Sequence, residues 1–229
     1  MHRVVDHDEW LAARKELLAQ EKAFTRQRDE LSRQRRELPW ERVEKEYVFE
    51  GPDGGRTLAE LFDGRSQLIV YHFMFDPSWD EGCKSCSFWA DNFDPNVVHL
   101  KARDVTFVAI SRAPYAKLAA YKRRMRWSFD WFSSGETDFN FDLGVSFAPD
   151  ELEREGAYNY GSLAPHAPER EGLSVFYKHG DAVFHTYSAY ARGIDLVNAA
   201  YNYLDLVPKG RDEEGARSQS WVRRHDEYE

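Results

Sequence analysis

Gly82-Cys83-Lys84-Ser85-Cys86 is the segment whose residue types and spacing could do chemistry. Two thiols three positions apart suit disulfide exchange, in which one thiolate attacks and the second resolves the mixed disulfide. At the head of a helix the pair becomes unequal. Unpaired N–H groups of the first turn favour charge on Cys83, while Cys86 lies one turn inside. Lys84 adds a cation nearby, and Asp80 and Glu81 oppose it. Cys83 is the expected nucleophile and Cys86 the resolving thiol. A zinc site would need two further ligands. There are only 2 cysteines, and His72, His99, His179 and His185 lack the usual pair spacing, so no metal is expected. The competing reading is a redox-inert binding or assembly module, since a fold does not fix a function.

The motif needs a strand to deliver it and a helix that starts at it. Leu68 to Phe75 is a continuous apolar run containing His72, which predicts a strand buried on both faces. Residues 76–82 read as a loop. From Cys83, the residues Cys86, Trp89, Ala90, Phe93, Val97 and Leu100 fall at helical spacing, with Pro95 expected to kink the helix. A strand over 105–111, a helix over 115–125 and a short strand over 129–132 follow. Residues 173–177 and 183–187 flank His179-Gly180-Asp181 as a hairpin, and 194–206 reads as a last helix. Upstream, Val43 to Glu50 alternates as a strand does, and Thr57 caps a short helix. Strands alternating with helices imply right-handed parallel crossovers, and the hairpin adds an antiparallel edge. The expectation is an α/β domain, a central mixed sheet flanked by helices, in the order of the thioredoxin fold. Trp79, Lys84 and Trp89 are candidates to line the thiol site. Strand alternation places Val183, His185 and Tyr187 on one face, so His185 and Tyr187 are candidates as well. The competing reading makes them core.

A helical arm over 1–40 precedes the domain. Residues 8–38 contain no Gly or Pro, and Trp10, Leu17, Phe24, Leu31 and Leu38 recur every seventh position. The alternate seam carries Arg14, Glu21, Arg28 and Arg35, so the pattern is not a full coiled-coil repeat. Its narrow stripe suits the arm's own domain or a partner helix, the latter making a homodimer. The domain is expected over 41–210, with an irregular insertion at about 133–171 and a frayed polar tail at 211–229.

The 229 residues carry 31 Lys plus Arg against 40 Asp plus Glu, a net charge of −9, so neither nucleic acid nor an anionic membrane surface is an expected partner. The cations of Lys122-Arg123-Arg124 fall at a helix C-terminus, where they are favourable without a ligand. Two cysteines exclude a disulfide-rich scaffold, Met1 to Asp6 offer no signal-peptide core, and the longest apolar run is too short to span a bilayer. A cytoplasmic protein without organic cofactor is expected, acting on a protein or small-molecule disulfide.

Several longer motifs carry a family likeness. Tyr71-His72-Phe73-Met74-Phe75 with Trp79, Cys86-Ser87-Phe88-Trp89-Ala90-Asp91-Asn92-Phe93, Phe139-Asn140-Phe141-Asp142, Phe184-His185-Thr186-Tyr187-Ser188 and Tyr190-Ala191-Arg192-Gly193 resemble the thioredoxin-like "domain of unknown function 899" family. The resemblance runs from about Trp10 to Asp212 and implies a thioredoxin-like fold with dithiol–disulfide activity. One departure from well-studied thioredoxins stands out: they place a cis-proline before the strand facing the cysteines, where this chain has Glu171-Gly172. A peroxiredoxin-like site would need Thr or Ser three residues before the reactive cysteine. Asp80 stands there, although Arg112 or Arg192 could serve as the distant arginine.

The arm gives a prediction. Deleting residues 8–38 should lower solubility if their stripe is packed, and light scattering of the intact chain separates the two packings, a monomer ending the homodimer version.

Overall fold

The computed structural model describes residues 2–213 and 218–228. The chain divides into two units, residues 1–39 and 40–229. The first is a single helix, α1 (His7–Arg36). Asp6 caps it by accepting from the Glu9 N–H at 2.9 Å. Asp8 and Glu9 lie in its first turn, and Arg33, Arg35 and Arg36 in its last, both complementing the helix dipole.

In the second unit eight strands of the described residues form one sheet: β1 (Glu41–Arg42), β2 (Val48–Gly51), β3 (Gly54–Thr57), β4 (Gln67–His72), β5 (Val105–Ser111), β6 (Asp130–Ser133), β7 (Gly172–His179) and β8 (Ala182–Tyr190). Their spatial order is β1-β8-β7-β4-β5-β6-β2-β3. Only β4–β5 and β5–β6 are parallel. Each of these pairs is joined through a helix: α2 (Lys84–Phe93) and α3 (Val97–Lys101) after β4, and α4 (Tyr115–Met125) after β5. The fold is thioredoxin-like. Two further α-helices among the described residues are α5 (Phe139–Asp142) and α6 (Ala199–Leu204).

The two-faced burial of β4 and β5 organises the core. Tyr71, Phe107 and Ala109 point to the face covered by α2, α4 and α6, where Phe73, Phe75, Trp89, Phe93, Trp127, Phe129 and Trp131 gather. Leu68, Val70, Val108 and Ile110 point to the other face, against Phe49, Leu61, Phe62, Phe139 and Phe176. A third cluster, Val145, Phe147, Tyr158 and Tyr190, packs the long stretch before β7 onto the end of β8.

The departures from expectation have local causes. The strand expected over 43–50 is broken, because residues 43–47 carry the chain from one edge of the sheet, β1 beside β8, to its far side, where β2 lies between β6 and β3. Lys45 and Tyr47 anchor that crossing on Asp142, at 2.6 and 2.8 Å. Pro95 interrupts its helix rather than kinking it: α2 ends at Phe93, and a 3₁₀ turn at 94–96 leads into α3. The last helix is split, with a 3₁₀ stretch at 191–197 and then α6, capped by the Asn198 side chain accepting from the Tyr201 N–H at 3.0 Å. The tail is not frayed at 218–228, where Val222 is fully buried.

Strand alternation also fails in β8. Val175 pairs with Tyr187 but Phe176 pairs with His185, leaving Thr186 as the extra residue of a bulge. Its hydroxyl donates to the Val175 carbonyl at 3.1 Å. The bulge turns His185 onto the Phe176 face and leaves Tyr187 on the face of the cysteines. A buried polar row follows from this turn. His72 Nε2 bonds the Ser174 hydroxyl at 2.8 Å, Ser174 bonds Ser188 at 2.7 Å, and Ser188 bonds His185 Nε2 at 2.7 Å.

His72 is buried, its Nδ1 finds no protein partner, and burial drives its pKa down to about 3, with His185 pushing the same way. The unfolded chain therefore takes up a proton near pH 6.5 that the folded chain refuses, so stability is lost as pH falls below 6.5. The expected loss from this group is about 2 kcal/mol between pH 7 and 5. His72→Gln, which keeps a donor for Ser174, should flatten that decline. Urea midpoints at the two pH values measure it, and parallel declines would refute the assignment.

Candidate functional site

The site is built where β4 leaves the sheet. The apolar run continues through Phe73 and Phe75, whose backbones bond β5 and the turn after it, and the chain then loops back to the head of α2. The Cys83 N–H donates to the Met74 carbonyl at 3.1 Å, closing the loop. Gly82 is required by space. A Cβ there would lie 2.8 Å from the Phe73 ring and 3.0 Å from Tyr121, so any side chain would push the cysteine loop off the core.

Cys83 is the N-cap of α2, and Cys86 lies one turn in. Both are free thiols, Cys83 partly exposed and Cys86 buried. The Cys83 side chain makes no capping hydrogen bond, but its sulfur lies close to the Cys86 thiol and to the backbone N–H groups of Cys86 and Ser85, which favour its charge. Those donors bring its pKa down to about 7, the Cys86 thiol contributing most, against burial and the Glu171 charge, which raise it. Cys86 moves the other way. Burial pushes its thiol well above the ordinary value, with the Cys83 and Glu171 charges adding to it. Its sulfur also accepts from the Met74 N–H at 3.4 Å.

The backbone on both sides of the Cys83 Cα is gripped. Arg224 donates from Nη2 to the Gly82 carbonyl at 3.0 Å and from Nε to the Tyr121 hydroxyl at 2.8 Å. That hydroxyl bonds Ser87 Oγ at 2.9 Å, and Ser87 Oγ donates to the Cys83 carbonyl at 2.9 Å. The segment carrying Arg224 is itself pinned by buried Val222, by His225 Nδ1 on Asp91 at 2.6 Å and by Asp226 on Arg124 at 2.6 Å.

A cavity of about 370 Å³ opens over the thiols. Its floor is Tyr71, Met74, Cys83, Ser85, Cys86 and Trp89. Arg170 and Glu171 approach from the start of β7, Ala191 to Asp195 from the 3₁₀ stretch after β8, and Ser218 and Gln219 from the tail. Of the residues expected around the thiols, Trp89 lines this cavity and donates from Nε1 to the Ile194 carbonyl at 3.2 Å. Trp79, Lys84 and Tyr187 are not among its lining residues, although Trp79 and Tyr187 pack on the same core. His185 is excluded by the bulge and lines a different pocket, across the sheet, with Lys45 and Tyr160. Glu171 occupies the place before β7 where thioredoxins carry proline, and its charge acts on both sulfurs. Arg170, Asp195, Ser218 and Gln219 left no signal in the sequence, because loops bring them in from far along the chain. No group of three or more His, Cys, Asp or Glu among the described residues could hold a metal ion, and no helix among them is long and apolar enough to cross a membrane.

Comparison with solved structures finds the same fold. Peroxidoxin BcpB from Mycobacterium tuberculosis superposes with a TM-score of 0.50 at 14% identity, over 71% of this chain and 94% of that one. Peroxiredoxin Q of Xanthomonas campestris, as a mutant, gives 0.46 at 14% identity, over 68% and 90%. Peroxiredoxin 6 of Arenicola marina, also a mutant, gives 0.46 at 13%, over 67% and 65%. No curated protein matches the sequence. The model of the family described as bacterial protein of unknown function (DUF899) matches residues 1–228. The chain belongs to that family.

Proposed function

We propose that the protein is a thiol–disulfide oxidoreductase working through Cys83 and Cys86. The observation that carries this reading is the opposite displacement of two adjacent thiols: one drawn down to about 7 at a helix mouth, the other buried and held protonated. Such a pair divides the labour of exchange. The Cys83 thiolate attacks one sulfur of a disulfide, forming a mixed disulfide and expelling a thiolate that takes a proton from solvent. Cys86 then loses its proton, attacks the Cys83 sulfur and expels the second thiol. The protein ends with a Cys83–Cys86 disulfide, and two electrons have passed to the substrate. Its cycle closes when an external dithiol reduces that bond. A reducing compartment such as the cytoplasm suits this direction of flow.

The thiols give the first test. Iodoacetamide should modify Cys83 with a pH midpoint near 7 and leave Cys86 unreacted at neutral pH. Cys86→Ser should accumulate a mixed disulfide on Cys83, visible by mass spectrometry, and Cys83→Ser should abolish both trapping and turnover. Two unreactive thiols in the folded protein would favour the redox-inert module instead.

The Arg224 grip gives a second. Arg224→Met should cost about 2 kcal/mol of stability, as expected for hydrogen bonds from a charged donor, and should shift the Cys83 midpoint. Arg224→Lys should restore little, since one ammonium cannot serve Gly82 and Tyr121 together as a planar guanidinium does. Alkylation rate against pH reads this directly, and an unmoved midpoint would reduce Arg224 to a structural tie.

A further inference from the structure

Resting on that reading, we propose that the site takes low-molecular-mass disulfides carrying both carboxylate and ammonium groups, in preference to disulfides of proteins. The argument begins with access. A protein substrate needs an open face around the nucleophile, even though transient redox encounters cover less than about 600 Å² on each partner. Here Cys83 sits in the floor of a cavity of about 370 Å³, a size at the lower end of small-ligand sites, about 300–1,000 Å³. Its walls are held in place. Ile194 is tied to Trp89, and the tail that supplies Ser218 and Gln219 is fixed at the cysteine loop itself through Arg224 and Gly82.

The charge of the walls selects further. Arg170 is held by stacking on Tyr158, 4.7 Å from the ring centre, and by donating to the Pro165 carbonyl at 3.0 Å. Its buried Nε has no partner in the protein. Glu171 lies 3.3 Å from the same guanidinium. Arg192, largely exposed at the cavity's lining, and Asp195 form a second pair at 3.4 Å, and Asp195 is also held by Arg211 at 3.1 Å. Two cations and two carboxylates around one small cavity complement a molecule bearing both signs, and leave an uncharged disulfide with nothing to pair. The transfer is the one already balanced above, the dithiol giving two electrons and the small disulfide leaving as two thiols.

The experiment uses the reduced full chain in stopped flow, following Trp fluorescence or residual thiol. Cystine, the uncharged bis(2-hydroxyethyl) disulfide and insulin serve as oxidants, each rate normalised to that of free dithiothreitol with the same compound. The normalised rate for cystine should exceed that for the uncharged disulfide about tenfold, equal to about 1.4 kcal/mol, with insulin slower than cystine. Arg192→Met should narrow the cystine advantage. Equal normalised rates for the two small disulfides, or insulin as the fastest, would overturn the substrate class while leaving the dithiol chemistry standing. Failure of all three to oxidise the protein would overturn both.

Discussion

A strand with no solvent-facing side must be covered twice, and β4 imposes that requirement on the whole second unit. Its residues alternate between two aromatic-rich cores, so a layer is needed on each face of the sheet. The parallel pairing of β4 with β5 then demands a crossover, and α2 supplies it. The head of a crossover helix lies beyond the C-terminal end of the strand before it. In this chain that place holds Cys83. The position of the thiols is thus a product of burial and connectivity before any electrostatics enter.

Electrostatics then separate the two sulfurs. They differ by one helical turn, yet one meets first-turn amide groups and a partial opening while the other meets protein on every side. Burial opposes the charge on either sulfur, and Glu171 adds a smaller push in the same direction. In the thioredoxins a proline before the facing strand shapes the substrate groove. Replacing it by a carboxylate exchanges a steric device for an electrostatic one.

Much of this was legible in sequence. The β5 and α4 boundaries follow from the runs Val105–Ser111 and Tyr115–Met125, because strong apolar periodicity reports burial directly. The Cys83–Cys86 pair was legible too, since motif and preceding apolar run are adjacent. What escaped depends on distant partners. Alternation placed His185 and Tyr187 on one face, and the bulge that separates them leaves no mark in hydrophobicity. The tail reads as polar and loose, yet Val222 and Arg224 find their places on elements made long before them, and no local pattern encodes that fit.

The contact between Arg224 and Gly82 spans 142 residues of sequence. The sheet closes loops just as long, since Glu41 of β1 pairs with His185 of β8, so sheet and site alike depend on contacts between distant parts of the chain. A chain cut before the tail would therefore carry the dithiol without the Arg224 grip and without the Ser218 and Gln219 wall of its cavity.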